Sequence, residues 1–321
     1  MELKRRTLEF MPIQLFAIIM GLSGFAIMFA KAYHVFGVPY WIYTSILFID
    51  TVVFLVILTA YMFKLLLFTD AVKKEFYHPV KSSFMAAISI SFLLLSIAFY
   101  DYAPTLSVLL WYIGAPLQMI FTLIIMYYWI RNDLEVVHSS PAWFIPIVGN
   151  ILVPIVGVET APIYVSLFFF SIGMMFWIVL FSIMIYRIIF HHPLAKKLVP
   201  TLFIFIAPPA VGFISYFRIT NGSIDIFSIF LYSIALFILV LLLIMIRMYD
   251  TKEFFVSWWA YTFPLAAVSI ATIMMHRVLD NSITYLLSII LTGLTTLVVS
   301  YVVYRTLQAC RAQKICIEEE Q

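Results

Sequence analysis

The stretch Ser257–His276, SWWAYTFPLAAVSIATIMMH, decides how the rest of the chain is read. As an α-helix rising about 1.5 Å per residue it is one bilayer long, and no charged side chain falls between Trp258 and Met275. It nevertheless carries Pro264, directly after the bulky Phe263. A proline inside a helix removes a backbone hydrogen bond and crowds the preceding turn. In lipid such a break is tolerated where protein or a water-filled cavity satisfies the freed carbonyl. Two readings follow from the stretch alone. Either the helix is broken so that its aromatic plugs a passage, or it is an ordinary membrane helix with a packing proline.

Working outward, 64% hydrophobic residues, 11% charged ones and a mean hydropathy of +1.08 exclude a soluble globular chain. Soluble domains carry about a quarter charged residues. The apolar residues come in long runs, predicting an all-α integral membrane protein with ten transmembrane helices at 12–30, 40–67, 83–99, 107–130, 143–156, 163–190, 198–217, 224–246, 258–276 and 282–307. A lead at 1–11 and a tail at 308–321 flank this single domain. The fifth span is short and needs its flanking residues, or a tilted setting, to cross. The first lacks a small-residue cleavage site and is read as a span, not a signal peptide.

Lysine and arginine favour cytoplasmic loops. With both termini cytoplasmic, Lys4, Arg5, Arg6, Lys64, Lys73, Lys74, Lys81, Arg131, Arg187, Lys196, Lys197, Arg247, Lys252, Arg305, Arg311 and Lys314 fall on one side. Only Lys31, Arg218 and Arg277 fall on the other, 3 of 19. An error of one span would scramble this segregation, so the charges support the count independently. A cell-membrane location, the inner membrane in a bacterium, is expected. The net charge of +3 reflects those loops and says nothing of substrate sign.

Catalytic chemistry has little to rest on. Cys310 and Cys316 sit in the cytoplasmic tail, where thiols stay reduced. All six histidines fall at membrane edges or in loops, and none makes an i, i+4 ligand pair within a span. Phosphate-binding loops and nucleophile elbows are missing from the sequence. Neither an enzyme, a cofactor, a metal site nor a nucleic-acid partner is expected.

An alternation then appears. Odd spans run 19, 17, 14, 20 and 19 residues, even ones 28, 24, 28, 23 and 26. Glycine and proline number 11 in odd spans and 4 in even ones. The chain reads as five helical hairpins, each a short broken helix followed by a long greasy one, with the third span the weakest member. Five broken helices ringed by five regular ones, in quasi-fivefold order, would leave a central pore. Its lining would be apolar, small or hydroxylated, Ser91 included, and free of charge. A neutral pore suits conduction, where binding must be weak enough to release. Phe263 is the candidate gate, since an apolar constriction closes by dewetting or by a side-chain plug.

Other candidates divide between two roles. Gly21, Gly24, Gly149, Pro208, Pro209 and Gly212, with Pro264, either widen a lumen by kinking its wall or let helices pack closely. Asp50 is the one acid well inside a span. An intramembrane acid is a proton-coupling candidate by default, but its even span favours a hydrogen-bonded structural acid or a subunit contact. Lys73, Lys74, Lys81, Lys196 and Lys197 either draw anions to the mouth or only set topology.

HPVKSSF (78–84), PAWFIPIVGNILVP (141–154) and WWAYTFPLA (258–266), with the ten-span layout, resemble the tellurite-resistance/dicarboxylate transporter family. That family includes bacterial tellurite-resistance proteins, a fungal malate permease and the slow-type anion channels of plant guard cells. The resemblance covers about Met11 to Leu307. It implies a homotrimer with a pore in each protomer, formed by five inner helices, and transport of small inorganic or organic anions. It also implies a phenylalanine on the ninth helix that occludes the pore, which maps onto Phe263. Some members are channels and others proton-coupled carriers of C4-dicarboxylates or related oxyanions, so both mechanisms stay open; a non-transporting receptor is the third option. The short termini speak against the phosphorylation control of the plant members.

Overall fold

Residues 8–245 and 253–317 are described by the computed structural model of the chain. Lys4, Arg5, Arg6, Arg247 and Lys252 of the predicted cytoplasmic set lie outside the described residues. Among the described residues, ten helical segments are long and apolar enough to cross a membrane, and the protein is an all-α membrane protein. The segments are Ile13–Phe36, Tyr40–Leu67, Ser82–Phe99, Pro104–Arg131, Pro141–Thr160, Ile163–Phe190, Lys196–Ile219, Ile226–Ile244, Val256–Leu279 and Ser282–Arg311. The fifth is 20 residues long, six more than its apolar run suggests, because Pro141 and Ala142 before it and GVET (157–160) after it are helical too.

The α-helices within them are α1 (Phe16–Phe36), α2 (Tyr40–Leu67), α4 (Ala86–Phe99), α5 (Pro104–Arg131), α6 (Ile145–Thr160), α7 (Ile163–Phe190), α8 (Ala207–Ile219), α9 (Ile226–Ile244), α10 (Thr262–Leu279) and α11 (Ser282–Arg311). A short amphipathic α3 (Thr69–Phe76) lies between α2 and α4. Burial separates two classes. In the odd spans 78 to 94% of the most apolar window is buried within the protein, against 28 to 39% in the even ones. The odd helices α1, α4, α6, α8 and α10 therefore face protein, and the even ones present large apolar side chains such as Trp41, Phe48, Leu66, Ile130 and Phe237 outward. Outward leucine and phenylalanine suit lipid, not water.

Neighbour contacts among the buried helices form a cycle: α1 with α4, α4 with α6, α6 with α8, α8 with α10, and α10 with α1. The even helices repeat one packing rule. Each lies on its hairpin partner and on the next buried helix: α2 on α1 and α4, α5 on α4 and α6, α7 on α6 and α8, α9 on α8 and α10, α11 on α10 and α1.

Each buried span opens with a 3-10 turn before its α-helix: Ile13–Leu15, Ser82–Met85, Pro141–Phe144, Lys196–Ile206 and Val256–Tyr261. Proline explains much of this. Pro146 is the second residue of α6, Pro208 and Pro209 the second and third of α8, and Pro264 the third of α10. In the first turn a proline has no backbone bond to lose, while its ring disfavours α geometry in the residue before it. The irregularity at Pro264 is thus a change of helix type ahead of it, not a bend in mid-helix. The third span, without glycine or proline, carries the same 3-10 lead, so the repeat is fuller than its composition suggests.

Candidate functional site

The start of α10 sits against a glycine-notched face of α1. A Cβ built on Gly21 would stand 2.1 Å from Thr262 Oγ1 and 2.8 Å from Trp259 Cε3. One on Gly24 would stand 3.1 Å from Phe263 Cδ2 and 3.2 Å from Ala266 Cβ. The missing side chains are what allow Trp259, Thr262 and Phe263 to seat on α1. Phe263 itself is buried, 6% exposed, as the second residue of α10. Gly21, Gly24, Phe263 and Pro264 are therefore brought to one junction between the first and ninth spans.

Gly149 and Gly212 face the other way, toward the even helices. Gly149 makes room for the Gln118 side chain of α5, and Gly212 for Met174 of α7 and Leu231 of α9. Gln118 anchors a buried polar network. Its Oε1 accepts from Ser89 Oγ at 2.7 Å, and its Nε2 donates to the Pro146 carbonyl at 2.7 Å. Thr122 Oγ1 donates to the same carbonyl at 3.0 Å, and Asn150 Nδ2 donates to Thr122 Oγ1 at 2.9 Å. The network ties α4, α5 and α6 together at the first turn of α6.

Several other hydroxyls of the buried spans return to their own helices. Ser91 donates to Ala87 O at 2.7 Å, Ser269 to Leu265 O at 2.8 Å and Thr272 to Val268 O at 2.8 Å. Such bonds let a serine or threonine sit in an apolar wall without an orphaned donor. Within the five buried spans, Lys, Arg, Asp and Glu occur only near the ends, at Lys31, Glu159, Lys196, Lys197, Arg218 and Arg277.

Asp50 of α2 is fully buried and points at α1, where Ser23 Oγ donates to its Oδ2 at 2.5 Å. Its Oδ1 has no hydrogen-bond partner. No ion pair joins it among the described residues. A second buried acid escaped the sequence reading. Glu75 of α3 pairs with Lys64 of α2 at 3.0 Å, both nearly solvent-free. Glu75 also accepts from Ile13 N at 3.3 Å and Tyr61 Oη at 2.9 Å, and Lys64 donates to Met11 O at 2.7 Å. These bonds clamp α3 and the end of α2 onto the 3-10 lead of the first span. Sequence gave no sign of it, because an acid eleven residues from a lysine across a loop reads as a surface charge.

Residues 11–307 match the family described as voltage-dependent anion channels, the SLAC1 family. The S-type anion channel SLAH3 of Arabidopsis thaliana is 32% identical over 296 residues, covering 90% of this chain and 46% of SLAH3. An uncharacterized transporter of Methanocaldococcus jannaschii is 26% identical, covering 74% of this chain and 76% of that protein. A tellurite resistance protein TehA homolog of Haemophilus influenzae is 23% identical, over 81% of this chain and 79% of the homolog. The chain spans about half the length of the plant relatives it matches, 46% of SLAH3 and 60% of SLAH2.

Proposed function

Because the chain belongs to the SLAC1 family of voltage-dependent anion channels, we propose that it passes small anions through a path enclosed by α1, α4, α6, α8 and α10 and occluded by Phe263. The observation that carries this reading is the closed cycle of contacts among those five helices, combined with the absence of charged side chains from the middle of their spans. A wall of apolar and self-satisfied hydroxyl groups offers an anion weak, releasable contacts. The five α-helices all run from their 3-10 leads in one direction. Their N-terminal ends, with the partial positive charge of the helix dipole, therefore gather at one mouth, which favours anions there. Phe263 is the second residue of such a helix, at the junction where Gly24 of α1 lets the ring approach.

The same reading carries the expectations for the assembly. The protein acts as a homotrimer with one path per protomer, in the cell membrane, with both termini cytoplasmic. The exposed apolar faces of the even helices supply the surface for lipid and for neighbouring protomers.

A second reading, a proton-coupled carrier of C4-dicarboxylates or related oxyanions, is favoured by Asp50 alone. A buried carboxyl with one unpartnered oxygen is suited to exchanging a proton during transport. Reversal potentials in asymmetric chloride, nitrate and malate solutions at two pH values separate the mechanisms. A channel follows the permeant anion gradient alone. A reversal potential that moves with pH at fixed anion gradient would replace the channel with the carrier.

A further inference from the structure

The three basic residues that the charge segregation leaves on the far side, Lys31, Arg218 and Arg277, all sit toward the C-terminal ends of buried helices, α1, α8 and α10. Lys31 and Arg218 belong to one polar chain, and Arg277 stands beside it. Asp101, just past α4, pairs with His34 Nε2 at 3.1 Å and stands 4.0 Å from Lys31 Nζ. Its neighbour Tyr100 donates to Glu159 of α6 and lies 3.3 Å from Arg218 Nη2. Arg218 is held on several sides: Nη2 meets Glu159 Oε1 at 2.6 Å, Nε donates to Ile155 O at 3.0 Å, and the guanidinium lies 5.2 Å from the Tyr100 ring centroid. Arg277 is exposed in the last turn of α10 and has no hydrogen bond or ion pair among the described residues. Both Arg218 and Arg277 lie within electrostatic range of Lys31. Every one of the five buried helices thus contributes to this collar.

Helix C-termini carry partial negative charge, so five of them around one mouth would repel an anion leaving or entering there. The collar sets cations against that charge locally: Lys31, Arg218 and Arg277 stand among Asp101 and Glu159, with Asp225 and Asp280 in the loops of the same end, so the attraction belongs to Lys31 and Arg277 and not to a net positive mouth. Two of the cations are open to a ligand: Arg277 is exposed, and Lys31, only loosely paired with Asp101 at 4.0 Å, has a side chain 34% exposed. Arg218 is spoken for by Glu159, Tyr100 and Ile155, and acts as the tie between α4, α6 and α8.

We infer that this collar is an anion-binding vestibule at the mouth opposite the 3-10 leads. Lys31 and Arg277 receive small hydrated monovalent anions such as halide or nitrate, and Asp101 limits their occupancy. The inference rests on the permeation path proposed above. A unit charge about 8 Å from the path changes the local anion concentration about twofold in water. That effect reaches across the mouth at ~0.01 M salt, where the screening length is ~30 Å, and vanishes at ~1 M, where it is ~3 Å.

The test is anion current in planar bilayers, driven from the collar side, for the parent, Phe263→Ala, and Arg277→Gln and Asp101→Asn each made in the Phe263→Ala protein. In ~0.01 M chloride or nitrate, Arg277→Gln lowers the current about twofold and Asp101→Asn raises it by a similar factor. In ~1 M salt all three Phe263→Ala proteins converge. The opposite signs of the two changes exclude a folding defect as their cause. Current through Phe263→Ala that is indifferent to both changes at low salt overturns the vestibule and leaves the path standing. Absence of anion current from every variant overturns the path, and the vestibule with it.

Discussion

Replacing Gly149 with alanine should destabilise the protein, although alanine is the better helix former. The new Cβ would stand 2.2 Å from Gln118 Cδ, 2.3 Å from its Oε1 and 2.4 Å from its Nε2. Side chains do not tolerate such contacts, so the amide must swing out of its site. It then loses the bond from Ser89 at 2.7 Å and its bond to the Pro146 carbonyl at 2.7 Å. Leaving a buried amide unsatisfied costs about 1–3 kcal/mol. Displaced packing adds about 1–3 kcal/mol, and the helix-propensity gain of alanine over glycine offsets about 1 kcal/mol. The net loss is about 1–5 kcal/mol. Unfolding in detergent micelles, followed by far-UV circular dichroism, measures it. In a double-mutant cycle Gly149→Ala with Gln118→Ala should recover at least about 1 kcal/mol, because the clash and the orphaned amide vanish together. A Gly149→Ala protein as stable as the parent, or more so, would refute this reasoning. That result is what a glycine facing open space would give, with only the propensity gain left.

Three further outcomes follow from the polar sites. Glu75→Gln removes the partner of a lysine whose side chain is 2% exposed, and should cost about 3–5 kcal/mol in the same unfolding assay. Lys64→Met with Glu75→Leu should cost less than Glu75→Gln alone. Asp225 caps α9, and the Tyr216 hydroxyl, with help from Ser228, holds its carboxyl down at about 2. A depressed carboxyl supports the folded state above its ordinary pKa of about 3.9, and that support is lost as pH falls through about 2. Thermal unfolding scanned from neutral to acid pH should show this loss in the parent and not in Asp225→Ala. Asp50→Asn should leave the pH dependence of anion flux unchanged, as a structural acid bonded to Ser23 would. Loss of pH-driven uptake in that variant would establish the carrier instead.

The layering of the fold was legible because burial leaves a compositional trace. Spans rich in glycine, proline and hydroxyls are the buried ones, and spans rich in leucine, isoleucine and phenylalanine face outward. A period of one hairpin survives in the sequence because each hairpin obeys the same packing rule. What glycine does at a given position was not legible. Gly24 and Gly149 look alike in the sequence, yet one faces Phe263 on a buried helix and the other Gln118 on an even one. Which face of a helix a small residue occupies depends on helix rotation, and an apolar helix with little amphipathic bias leaves that rotation unspecified. The 3-10 leads were hidden for a related reason. A proline announces a break, but not whether the chain bends within an α-helix or changes helix type ahead of it. The collar of Lys31, Asp101, Glu159, Arg218 and Arg277 joins residues up to 246 positions apart, and only closure of the helix cycle brings them into range.

The most direct measurement is anion flux into liposomes holding equal amounts of folded parent or Phe263→Ala protein, under a fixed chloride or nitrate gradient. If the five buried helices enclose an anion path stoppered by this ring, Phe263→Ala passes anions markedly faster than the parent, and the added flux follows the anion gradient. Equal flux from the two proteins, or none from either, would contradict the account.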